Sequence, residues 1–78
     1  MAQGSQLMAT IRQAQFLANA LNRPQAVLSY TEQGEVKYCI AEMVSKGWPN
    51  PLWYKPSNDP AVRYEAREKY NRENTIPE

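Results

Sequence analysis

Near the start of the chain, hydrophobic residues recur at three- and four-residue steps. Leu7, Ile11, Ala14, Leu17, Ala18 and Leu21 fall on one face of a helix turning about 100° per residue. The spacing predicts a helix within the limits Ser5 and Asn22. Thr10-Ile11-Arg12-Gln13 has the form of a capping box, in which a Thr hydroxyl and a Gln side chain each satisfy a free backbone N–H. Ser5 is a competing, earlier cap. Pro24 disfavours helical geometry at Arg23, and Asn22 tolerates the left-handed turn that ends helices. Ala9, Phe16 and Ala20 lie on the far side of the stripe, so the apolar arc is wider than one packing face needs. A second element of the same chain is expected to cover Phe16, with another chain as the competing cover.

From Gln25 the period changes. Val27, Tyr30, Thr31, Val36, Tyr38 and Ile40 are the β-branched and aromatic types that strands favour. Gly34 suits the left-handed position of a three-residue hairpin loop, Glu32-Gln33-Gly34, with Thr31 opposite Glu35. That register sets Tyr30 opposite Val36, Leu28 opposite Tyr38 and Ala26 opposite Ile40, sorting an apolar face from a mixed one. A rival pattern exists: Val36, Cys39, Ile40, Met43 and Val44 also match a helical stripe, with Gly47 at its left-handed end. The hairpin is preferred, followed by a short helical turn near Glu42 to Lys46.

Three prolines keep the stretch from Gly47 to Pro56 irregular or extended. Asp59-Pro60 then opens a second helix. Asp caps, and Pro occupies the first turn, where its missing N–H costs nothing. This helix runs to about Glu73, with Glu65/Lys69 and Glu68/Arg72 spaced for ion pairing. Asn74 to Glu78 reads as a frayed tail, and Met1 to Leu7 as a disordered or appended leader. The fold class is therefore α+β: an N-terminal helix packed on a β-hairpin, a Trp/Pro-rich irregular segment and a charged C-terminal helix. All of it forms one small domain over residues 1–78.

Composition narrows the chemistry. Nine Lys and Arg against eight Asp and Glu give a net charge of +1, which disfavours a strongly basic nucleic-acid binder. The chain has no His and a single Cys, Cys39, so His-dependent triads, a Cys₄ zinc site and an internal disulfide are all excluded within one chain. The three glycines stand far apart, leaving no phosphate cradle. The expectation is no enzyme, no catalytic residue, no metal and no cofactor. No apolar run reaches the roughly 20 residues of a membrane span, and the start of the chain lacks signal-peptide character. A reducing cytoplasm is the simplest setting.

Binding candidates come from the aromatics. Trp48, Trp53 and Tyr54 stand within seven residues, and such rings dominate interface hot spots. Trp48, directly after Gly47, is assigned to the core over Met43 and Val44. Trp53 and Tyr54, with Lys55 beside them, form the first candidate surface. Phe16 is a second, and Tyr64 with Arg67 on the C-terminal helix is a third. Small size and open strand edges favour a homodimer over a monomer. In style the chain looks like short accessory proteins of phages and mobile elements, with no motif specific to one family. The leading functional expectation is a non-catalytic module that binds or inhibits a host protein. A helix-turn-helix-like nucleic-acid binder, which needs the helical reading of Val36 to Lys46, and a small-ligand or nucleotide sequesterer are the alternatives.

Overall fold

The computed structural model describes residues 2–74, with side chains from residue 5 onward. Helix α1 spans Ala2–Leu21, strands β1 Gln25–Glu32, β2 Glu35–Ala41 and β3 Leu52–Tyr54 follow, and helix α2 spans Pro60–Glu73. The strands form one antiparallel sheet in the order β2-β1-β3. The architecture is α+β.

Helix α1 ends where the sequence predicts. Asn22 takes a left-handed φ of 55°, and the Arg23 N–H returns to the Ala18 carbonyl at 3.3 Å, closing the last turn. Its start is different. The helix runs back to Ala2, so residues 2–7 are helical rather than a disordered leader. Thr10 is an interior residue and not a cap: its hydroxyl donates to the Gln6 carbonyl at 2.8 Å, one turn earlier. Ala, Gln, Leu and Met before Thr10 are good helix formers and carry the helix through the apparent cap. At the other end of the chain, Asn74 closes α2 on the Tyr70 carbonyl. The rest of the expected tail, 75–78, lies outside the described residues.

The hairpin is present, but its register differs by one residue. Glu32 pairs Glu35, Thr31 pairs Val36, Ser29 pairs Tyr38 and Val27 pairs Ile40. The loop has two residues, not three. Gln33 at φ 53° and Gly34 at φ 80° both adopt left-handed backbone, the requirement of a type I′ turn. Gln is a poor advertisement for that conformation, which Asn, Asp or Gly usually supplies, so the shorter loop left little trace in the sequence. The shift moves all of β2 relative to β1. Val36, Tyr38 and Ile40 now share a face with Thr31, Ser29 and Val27, while Lys37, Cys39 and Ala41 share one with Tyr30, Leu28 and Ala26.

The helical rival for Val36 to Lys46 has no counterpart, because Glu35–Ala41 is strand and a bare turn closes with the Trp48 N–H on the Ser45 carbonyl. The segment expected to be irregular supplies a third strand. Leu52, Trp53 and Tyr54 pair Val27, Ala26 and Gln25, with prolines 51 and 56 outside the paired residues rather than among them.

Helix α1 touches all three strands and α2, whereas α2 touches α1 and no strand. The first helix thus has the sheet on one side and the second helix on another, which accounts for its wide apolar arc. Phe16 lines the α1–α2 groove with Val62 and Ala66, and the Lys69 ammonium sits 5.5 Å from its ring centroid. Lys69 therefore serves the ring, and no ion pair to Glu65 forms. Among the described residues the buried core is small: Ala14, Ala18, Ala20, Ala26, Val27, Leu28 and Ala66, with no large side chain fully enclosed.

A polar clip fixes the approach to α2. The Asn19 side-chain oxygen accepts the Ser57 N–H at 2.7 Å and the Gln15 amide at 3.2 Å. Gln15 also donates to the Lys55 carbonyl at 2.8 Å. Ser57 in turn accepts the Asp59 N–H on its hydroxyl and Arg63 on its carbonyl, while Asp59 caps the Ala61 N–H at 2.9 Å. Prolines 51 and 56 and this clip together restrict the chain on either side of β3.

Candidate functional site

Strand β3 pairs β1 on one side only, so it forms an outer edge of the sheet. In a strand, successive side chains point to opposite faces. Leu52 and Trp53 are 45% and 47% exposed, and Tyr54 is half-buried. This matches the expectation that one ring of the pair faces outward, and Trp53 is that ring. Lys55 follows directly. Its carbonyl is held by Gln15 while the residue as a whole stays exposed.

Trp48 does not enter the core. It is 39% exposed, and Met43, the residue it was expected to cover, is 88% exposed. Gly47 does take the left-handed φ of 104°. However, the residues before it form a turn and no helix, so there is no final apolar helical turn for the indole to fold back on. Both indoles therefore present surface, one in the loop before β3 and one on the strand. Sequence reasoning missed Leu52, whose pairing with Val27 fixes it in the strand and leaves it exposed.

The other candidates separate from this edge. Phe16 is half-buried in the groove between α1 and α2, with the Lys69 ammonium over its ring, away from this edge. Tyr64 and Arg67 are exposed on α2, which has no contact with β3, so they belong to a different surface. The Tyr64 hydroxyl hydrogen-bonds the Glu68 carboxylate one turn on. That bond and the negative charge hold its pKa above the ordinary phenol value.

Two open grooves mark the surface. One, of about 450 Å³, lies between Gln6 and Thr10 of α1 and Tyr30, Lys37 and Tyr38 of the hairpin. The other, of about 320 Å³, is the α1–α2 groove over Phe16. Lys37 in the first groove is paired with Glu32 across the hairpin at 3.1 Å. Among the described residues, no cluster of acidic or thiol side chains is placed to hold a metal ion, and no helix is long and apolar enough to cross a membrane. Compared with protein-family models, curated proteins and solved structures, the chain matches none of them.

Proposed function

We propose that this chain is a non-catalytic protein-binding module, acting as a homodimer, whose partner surface is the β3 edge and the loop before it. The observation that carries this reading is the presentation of two partly exposed indoles, Trp48 and Trp53, with Leu52 between them in sequence. Rigid aromatic side chains on a restrained backbone lose little entropy when a partner covers them. Here prolines 51 and 56, the pairing to β1 and the Gln15–Lys55 bond supply the restraint. The single Cys39 thiol suits a reducing cytoplasm.

Nothing comparable supports the nucleic-acid reading, since the helix it needs over Val36 to Lys46 is a strand and a turn. The test is paired affinity capture with wild type and Trp53→Ala, alongside denaturant melts of both. Trp53→Ala is expected to retain most of its stability while losing about 30-fold in partner binding, the effect of a hot spot near 2 kcal/mol. Undiminished capture by Trp53→Ala would place the partner surface elsewhere.

A further inference from the structure

The two edges of the sheet are not equivalent. Edge β3 is three residues long, with Pro51 directly before it and Pro56 two residues after it; shortness and flanking proline are two common ways of blunting an edge. Edge β2 is seven residues long and contains neither a proline nor a bulge. A two-residue turn makes Glu32 and Glu35 a hydrogen-bonded pair, and such pairs alternate along an antiparallel ladder. Glu35, Lys37, Cys39 and Ala41 therefore direct their backbone groups to β1, and Val36, Tyr38 and Ile40 direct theirs outward. Among the described residues nothing pairs those outward groups. What fits a row of free N–H and C=O groups is another strand.

We propose that a second copy of this chain pairs along β2, antiparallel about a two-fold axis at Tyr38, joining two three-stranded sheets into one of six. The proposal rests on the homodimer named above and adds its interface and register. Surface area favours this occupant. The chain exposes 6154 Å², about 1,300 Å² more than the roughly 4,850 Å² of a compact monomer of its mass. Its radius of gyration is 14.1 Å, against about 11.5 Å for a compact chain of this length. The surplus exceeds the roughly 800 Å² that each partner of a standard interface buries.

Self-complementarity points the same way. Centring the axis on Tyr38 engages all seven residues of β2, with Tyr38 beside its own copy and Val36 opposite Ile40 of the second copy. Aromatic and β-branched pairs of this kind stabilise sheets. Lys37 falls opposite Cys39 of the second copy and Glu35 opposite Ala41, so no like charges stand directly opposed. A centre at Lys37 would set two ammonium groups face to face.

The test uses the full chain and its native thiol. Lys37 and the second copy's Cys39 occupy a non-hydrogen-bonded pair, where side chains come closest. Lys37→Cys, oxidised with glutathione disulfide, is expected to give a covalent dimer in most of the protein. Wild type and Lys37→Cys/Cys39→Ser are expected to stay largely unlinked. Light scattering of wild type at tens of micromolar should give twice the 9.0 kDa monomer mass. A monomer mass overturns the homodimer and this interface together, including where β2 instead takes up an extended peptide of another protein. A dimer mass without the Lys37→Cys cross-link overturns the β2 register alone and leaves the homodimer standing. Either result leaves the Trp53 partner surface to its own capture experiment.

Discussion

At the residue scale, magnitudes separate the interactions that hold this fold from those that decorate it. Arg23 and Glu42 form an ion pair at 3.1 Å, but both side chains are well exposed. Arg23→Ala should therefore cost less than about 1 kcal/mol. Asn19 is largely buried and satisfies the Ser57 N–H. Asn19→Ala strands that donor and releases Gln15, so a loss of about 1–3 kcal/mol is expected in urea melts. Equal effects from the two substitutions would contradict the importance given to the clip. Tyr64 offers a spectroscopic check: one of the five tyrosines should ionise above its ordinary range, and Glu68→Gln should bring it back down. An unchanged ultraviolet titration in Glu68→Gln would remove Glu68 as the cause.

At the element scale, the hairpin turn concentrates backbone strain in one residue. Gln33 holds a φ of 53°, a conformation that costs most L-residues about 1–2 kcal/mol and Asn less. Gln33→Asn should raise stability by about 0.5–1 kcal/mol, and Gly34→Ala should lower it although open space surrounds that position. A lower melting midpoint for Gln33→Asn would mean that the turn is not type I′. The same turn shows where the sequence was legible. Strong signals named both helices, the Asp59-Pro60 cap and the existence of the hairpin. The register hung on a Gln whose left-handed backbone its side chain does not advertise. Strand β3 was obscured because prolines on either side of Leu52-Trp53-Tyr54 mask a three-residue pairing that only β1 can complete. Strand-like alternation alone implied that one of Trp53 and Tyr54 faces outward, and the pairing of β3 with β1 was needed to say which. Trp48 was misplaced because a left-handed Gly47 was read as the end of a helix that does not form.

At the scale of the whole molecule, a core of five alanines around little more than Val27 and Leu28 is thin for a chain of 78 residues. The proposed pairing along β2 would relieve this by satisfying an edge and covering surface in one step. Because association then contributes to stability, the melting temperature should rise with protein concentration. A melting temperature independent of concentration over two decades would argue for a self-sufficient monomer. The most direct measurement is residue-resolved amide hydrogen exchange along β2 at two concentrations. With a second copy on this edge, the Val36, Tyr38 and Ile40 amides are protected as well as Lys37 and Cys39, and they lose that protection on dilution. Fast exchange at Val36, Tyr38 and Ile40 alternating with protection at Lys37 and Cys39, at every concentration, would show that the edge is bare and contradict the account.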